Sequence, residues 1–463
     1  MTQARIPGFH LTAPVGAIND PNGLWADPTG RIHVVYQHNP AGESCLSSGT
    51  GSGPKHWGHA WSDDLIAWTH GGSVIAPTPR WHDSDGAWSG SIVVDDTDVC
   101  AFYTGVRLQG DDWLESVCGA SIDGAATGDS SIGHAKRLLI PAGDAGIGNQ
   151  FRDPYVTVAD GTTIMIVGGD TPEGGRVMAY RSADFVRWDP LGVFFDASRA
   201  SSLLPPELTE ATWECPQLLR FEDAAVLILS IDRDPRPVVY LVGSANLDQG
   251  FQAETWGFID SAFGSYATHV ADIDDEGPFS ISWVRGPTLS RLRSRDRGHL
   301  TMIRRLKLDA HQRLLARFIR SPRQVAHAVG MTPWHFEGDI RFSGTKTALL
   351  EATLKVNGAP PGTRHSEFRI GSSRECIRLL FELHRHRVIL QTPIREMSLE
   401  VHPSEVELHV VWDASIAEVI VGGNSATYHF MPDDDVTLSL EVSPDVEAAG
   451  IVAVDTEQQP GQT

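Results

Sequence analysis

The chain has 463 residues, more than one ordinary hydrophobic core serves, so two domains are expected. Lys and Arg number 37 against 59 Asp and Glu, a formal charge of −22. That balance opposes a nucleic-acid or anionic-membrane partner and weighs against a phosphorylated substrate, because phosphate recognition relies on Lys and Arg.

The N-terminal stretch MTQARIPGFHLT lacks the apolar segment of a secretory signal. No apolar run is long enough to span a membrane; the longest, such as AAVLILSI, are strand-sized. Cys45, Cys100, Cys118, Cys215 and Cys376 are scattered and lack CxxC spacing. They fit free thiols in a reducing compartment better than a disulfide framework or a zinc site. A cytoplasmic protein is expected, with secretion and removal of a leader as the alternative.

From residue 16 the chain reads GAINDPNGLW, in which Asn19 to Gly23 are turn formers around one carboxylate, Asp20. Short strand-like runs follow throughout, among them RIHVVYQHN, SIVVDD, VCAFYTGV, TIMIVGGD, AVLILSI and PVVYLVG. Gly, Pro, Asp and Asn separate them, which predicts an all-β chain. SDDLIAWTH at 62–70 is echoed by SADFVRWDP at 182–190. Turn-plus-strand openings recur near residues 19, 87, 151, 213 and 265. Units of this size point to a β-propeller with one four-stranded blade per repeat, hence five blades; a large sandwich also fits the pattern.

Beyond residue 325 the pattern changes to longer alternating strands, TKTALLEATLKVN, CIRLLFELHRHRVILQT and VELHVVWDASIAEVIVGGN. A five-bladed propeller over residues 1–325 followed by a β-sandwich over 335–463 is the expected architecture. SPRQVAHAVGMTPW would be the linker, and the polar TEQQPGQT a disordered tail. Arg291, Arg293, Arg295, Arg297, Arg304 and Arg305 read as a solvated loop leading into a strand rather than a basic binding patch.

In a propeller the first strand of each blade lines the central channel. Three openings carry a carboxylate at that place: Asp20 in NDPNG, Asp153 in FRDPYV and Glu214 in WECPQ. Converging carboxylates without metal ligands suit glycosidic bond hydrolysis, in which one acid donates a proton and the other attacks or activates water. The two pKa values must be held apart. Trp213 beside Glu214 is the kind of apolar neighbour that raises a carboxyl pKa, while Asp20 is expected to stay ionised. Trp57 and Trp88 either face a sugar or pack blades, and packing is the plainer reading of each. His82, Asp83 and Asp85 read as a blade loop rather than a metal site. His56 and His59 read as structural hydrogen-bonding groups. Cys215 is not expected to be a nucleophile, because a neighbouring carboxylate raises a thiol pKa.

INDPNG, YQHNP, HWGHAWSDDLIAW, WSGS, FRDPYV and WECP occur in this order. Together they resemble glycoside hydrolase family 32, the invertase, inulinase and levanase group, over nearly the whole chain. The resemblance implies a five-bladed propeller plus sandwich and hydrolysis of β-fructofuranosides with retention of configuration. By motif it makes Asp20 the nucleophile, Glu214 the acid and then base, and Asp153 the holder of sugar hydroxyls that stabilises the transition state. It places Asn19, Gln37, Trp57, Ser89 and Arg152 around the fructose pocket, and Tyr266 and Trp283 less directly. A retaining pair also requires the Asp20 and Glu214 carboxyls about 5 Å apart.

The chain departs from the family pattern at Ala17 and Ser52, where aromatics are usual, and at Gln217, where an acid is usual. The first two are expected to alter the apolar wall around the sugar. The partner is a small sugar, sucrose or a fructan oligosaccharide, and neither metal nor cofactor is implied. A fructosyltransferase using the same site is the alternative. A non-enzymatic fructan-binding protein and an arabinan-directed propeller glycosidase fit the motifs less well.

Overall fold

In the computed structural model, residues 7–40, 53–95, 98–122, 135–143, 150–159, 161–285, 298–356, 365–372, 375–402, 405–430 and 436–455 are described. Cys45, Ser52, Arg291 to Arg297 and the tail from residue 456 lie outside them.

Five blades surround a channel. Their innermost strands are Ala17–Ala26, Gly86–Asp95, Phe151–Ala159, Thr212–Phe221 and Ser265–Ala271. Each packs on the next, and the fifth packs back on the first, which closes the ring. Each blade then runs outward by antiparallel neighbours, as in Ala17–Ala26, Ile32–Asn39, His56–Ser62 and Thr69–Ile75. Blades three and four join through a single pairing of Gly169 with Trp213. Middle strands such as Ala224–Asp232 are buried at almost every position, because neighbouring blades cover both faces.

The internal repeat has a physical cause. In blade one the Asp64 carboxylate caps a turn by accepting from the Ile66 and Ala67 amides at 2.9 and 2.8 Å. In blade three Asp184 accepts from the Val186 and Arg187 amides at the same distances. Ser62 and Ser182 complete the two turns, which lead into each blade's outermost strand.

Two six-stranded sheets form the sandwich. Thr347–Val356, Glu405–Asp413 and Ile416–Val421 lie in one, Ser366–Gly371, Cys376–Glu382 and Arg387–Thr392 in the other. Leu350, Leu354, Leu408 and Val410 meet Phe368, Ile377, Leu379 and Leu390 between them. Glu405–Asp413 shows the period of two expected of a strand with one buried face.

The expected linker is a structured element. Pro322–Ala328 is a helix whose Ser321 and Gln324 form a reciprocal capping box with Pro at its start. Val325 and Ala326 pack on Leu349, Val411, Ile420 and Ala453 of the sandwich and on Phe9 and Ile66 of the propeller side. The SPRQ sequence carried this cap signal.

A buried polar network crosses the same seam. Asp413 accepts from the Gly8, Phe9 and His10 amides at 2.8, 3.0 and 3.2 Å. The His10 ring lies between Asp413 at 2.8 Å and Glu418 at 2.9 Å. Glu418 also accepts from Arg304 Nε at 3.0 Å. Arg304 is therefore a buried structural cation and not part of a solvated loop; Arg305 pairs with Asp274 and covers the Phe279 ring. Burial opposes the charged form of His10, but the hydrogen bonds and charges of Asp413 and Glu418 outweigh it and raise the pKa to about 9. The stabilisation this gives is fully present below the unfolded value of 6.5 and is lost as pH rises through about 9. His10→Gln is expected to lower thermal stability at pH 6, on the order of 3 kcal/mol, and to flatten stability between pH 7 and 10. Melting temperatures of both proteins across that range check it.

Candidate active site

All five innermost strands carry a bulge at the same height. In blade one, Asn19 and Asp20 lie opposite Gln37 alone. Trp88 and Ser89 face Thr104 in blade two, and Asp153 and Pro154 face Val167 in blade three. Cys215 and Pro216 face Leu229 in blade four, and Ala267 and Thr268 face Ser282 in blade five. An extra residue re-aims the side chains around it. Repeated five times around a ring, it turns Asp20, Ser89, Asp153, Glu214 and Tyr266 toward one channel mouth. The backbone is strained there, with φ of +63° at Asp153, +47° at Cys215 and +50° at Ala267. Asn19 to Gly23 is therefore not a turn but part of the Ala17–Ala26 strand with two register shifts. Pro and Asn next to a bulge mimic the composition of a loop.

The side chains link blade to blade. Ser89 Oγ donates to Asp20 Oδ2 at 2.6 Å, and Gln37 Nε2 to Ser89 Oγ at 3.3 Å. Asp153 Oδ2 accepts from the Cys215 amide at 3.0 Å and its thiol at 3.6 Å. Tyr266 Oη donates to Glu214 Oε2 at 2.6 Å. Arg152 reaches Glu214 Oε1 at 3.5 Å and Glu115 Oε1 at 3.1 Å, with its guanidinium 5.7 Å from the Trp88 ring centre.

The remaining residues named from the sequence are placed as follows. Trp57 is fully buried, donates to the Trp88 carbonyl at 2.8 Å and packs on Tyr103, so it supports the pocket from behind. Trp88 is half-buried against Trp113. The buried Asn19 Oδ1 and Trp283 Nε1 meet no hydrogen-bond partner. Trp283 pairs across the blade with Tyr266, their ring centres 6.5 Å apart. Ala17 is 1% exposed and lies within the apolar core. Gln217 ties blades four and five by accepting from the Val270 amide at 3.2 Å.

Trp213 does not shield Glu214. Strand alternation sends it to the opposite face, where it stacks on Phe195 at 5.5 Å and donates to the Leu208 carbonyl. The pKa of Glu214 is nevertheless raised, by burial, against the Arg152 charge and with help from that of Asp232. Burial also raises Asp20, against the Ser89 hydrogen bond and the charges of Lys55, Arg236 and Arg152. Asp153 is raised by burial and then by the charge of Glu214. All three carboxyls are thus shifted toward the protonated form, and the Arg152 charge favours the ionised form of each. Cys215 is held as a thiol by burial and the three carboxylates.

Sequence reasoning missed Glu115 and Thr104. Glu115 is 6% exposed and holds both Arg152 and the Phe151 amide. Thr104 Oγ1 accepts from the Asp153 amide at 2.8 Å. Both lie on second or third strands of blade two, facing the bulges across a seam, and no local motif marks them. Asp83 accepts from Tyr103 and the Thr78 amide at 2.8 Å and pairs with Lys136. Asp85 accepts from Ser84 and the Leu108 amide. His59 bonds His33 at 2.9 Å. Among the described residues no cluster of three His, Cys, Asp or Glu side chains could hold a metal, and no helix is long and apolar enough to cross a membrane. Among the described residues Cys118, Cys215 and Cys376 are free thiols.

Among solved structures, a sucrose-6-phosphate hydrolase from Lactobacillus gasseri superimposes with a TM-score of 0.78 at 20% identity, covering 98% of this chain and 94% of that one. A sucrose-6-phosphate hydrolase of Escherichia coli is 36% identical over 233 residues, 48% of this chain and 43% of the relative. A raffinose invertase of Escherichia coli is 34% identical over 215 residues, 46% and 41% respectively. The match thus spans less than half the length of each of these two relatives. The family model of the glycosyl hydrolases family 32 N-terminal domain matches residues 10–317, which carry all five bulged strands. The chain belongs to glycosyl hydrolase family 32.

Proposed function

We propose that the chain is a retaining β-fructofuranosidase that releases fructose from sucrose or short fructo-oligosaccharides. The observation that carries this is the delivery of Asp20, Asp153 and Glu214 to one channel mouth by three equivalent bulges. Glu214 protonates the glycosidic oxygen while Asp20 attacks the anomeric carbon, giving a fructosyl ester and a free leaving sugar. Glu214 then takes a proton from water, which attacks the same carbon and restores Asp20. Asp153 accepts from sugar hydroxyls, and Asn19, Gln37, Ser89 and Arg152 surround the fructosyl ring. Trp57 and Trp283 back that wall, and Tyr266 orients Glu214. Residues 1–325 are the catalytic propeller and 335–463 the sandwich domain. The reaction is assigned to the cytoplasm, where the free thiols persist. The relatives' activities, on sucrose 6-phosphate and raffinose by their names, support fructosides with a variable leaving sugar. Incubation with sucrose, kestose, inulin and levan tests the reading: fructose should appear from the shorter substrates. Chain-lengthened products at high sucrose would replace it by transfer, and no fructose from any substrate would refute it.

The pH dependence has a definite sign. Activity should fall at low pH as Asp20 takes up a proton, and at high pH as Glu214 loses one, both at pH values above those of ordinary carboxyls. The Tyr266 hydrogen bond favours ionised Glu214. Tyr266→Phe is therefore expected to move the alkaline limb of kcat/KM to higher pH, read from a pH–rate profile on sucrose.

A further inference from the structure

The proposed mechanism gives no task to Glu115, although this buried carboxyl shares a cation with the acid Glu214. It sits on Asp112–Ser121, the third strand of blade two. Both of its oxygens are engaged. Oε2 accepts from the Phe151 amide at 2.6 Å, and Oε1 meets Arg152 Nη1 at 3.1 Å. Two donors on two oxygens favour the carboxylate form, against the burial that raises its pKa.

Glu214 is served differently. Its Oε2 accepts from Tyr266 at 2.6 Å, but Oε1 lies 3.5 Å from Arg152 Nε, beyond the usual range of such a bond. The buried Nε meets no hydrogen-bond partner. Oε1 is therefore the oxygen open to the proton that the leaving sugar needs. Burial holds that proton on Glu214, the Arg152 charge opposes it, Asp232 and Asp20 favour it, and the Tyr266 hydrogen bond opposes it. Asp153 and the Cys215 thiol also face Glu214, and Asp170 faces Glu115. Arg152 is the main charge working against the acid form, so the sharing of that charge matters. It stands between two carboxyls and leans on the one that does no chemistry. Pairing with Glu115 offsets much of the charge that Arg152 would otherwise place on Glu214.

We propose that Glu115 is a positioning residue for the acid: by holding Arg152 Nη1 it keeps the guanidinium from closing on Glu214 Oε1, and so leaves Glu214 able to give its proton to the leaving oxygen. This rests on the fructosidase reading above and deepens it.

The test is the pH profile of kcat/KM on sucrose for the parent protein, Glu115→Gln and Glu115→Asp. Glu115→Gln keeps the size of the side chain and an oxygen for the Phe151 amide, but removes the charge. Arg152 then acts on Glu214 alone and favours its ionised form. The alkaline limb should move down by about one pH unit, a loss of about tenfold on that limb, while the value at the acid-side optimum stays within about threefold of the parent. The direction is opposite to that expected of Tyr266→Phe. Glu115→Asp keeps the charge at shorter reach and should fall between. With an activated fructoside, whose leaving group departs unprotonated, the burst rate of Glu115→Gln should stay within about threefold of the parent at every pH. Loss by one factor at all pH values with the limb in place, or an equal loss in the burst, would make Glu115 a merely structural residue and overturn the proposal. Should Glu115→Gln fail to fold, an unmoved limb in Glu115→Asp would overturn it as well. These outcomes leave the fructosidase reading intact, whereas a parent protein that releases no fructose from any substrate would remove that reading itself.

Discussion

Asp20→Asn should lower kcat on sucrose by about 10⁴-fold or more while changing substrate affinity little. The amide keeps the size of the carboxylate, and its oxygen can still accept from Ser89, which donates at 2.6 Å in the parent. What is lost is the charge and the electron pair that would form the ester, and no neighbour can replace them. Asp153 is tied to the Cys215 amide, and Glu214 is held by Tyr266 and Arg152. Steady-state kinetics, with binding measured separately by calorimetry, checks both halves. A variant within tenfold of the parent would mean that the nucleophile lies elsewhere.

Glu214→Gln should behave differently on different substrates, and that difference identifies its role. With sucrose the leaving oxygen is a poor leaving group without a proton, so a loss of about 10³-fold is expected. With a fructoside whose leaving group departs unprotonated, the first step should survive and the second should slow, because no base then activates water. A burst of released leaving group followed by a slow phase is the expected trace, and added azide should speed the slow phase. Equal losses on both substrates, without a burst, would mean that Glu214 only binds or supports.

The placement of the three carboxylates on innermost strands was legible because each stands in a short motif and the motifs fall in blade order. The five blades were legible from recurrent openings, and their repeat is now traceable to the paired Asp64 and Asp184 turns. What misled was the same composition. Asn19 to Gly23 looks like a turn because a bulge needs the residues a turn needs, yet the strand runs through it in the fold. Reading WECP as strand would have shown that Trp213 and Glu214 face opposite sides. Glu115 and Thr104 stayed hidden for another reason. Their partners Arg152 and Asp153 come from the next blade, and pairing across a blade seam leaves no local spacing to read. The SPRQ capping box is legible in the sequence, although Ser and Pro also fit a linker.

The central claim is a covalent fructosyl ester on Asp20. Glu214→Gln protein mixed briefly with an activated β-fructofuranoside, quenched in acid, digested and examined by peptide mass spectrometry tests it most directly. The prediction is one added fructosyl unit on the peptide carrying Asp20, lost on adding azide and absent when Asp20 is also replaced by Asn. A burst with no adduct on that peptide, or an adduct on Asp153 that survives Asp20→Asn, would contradict it.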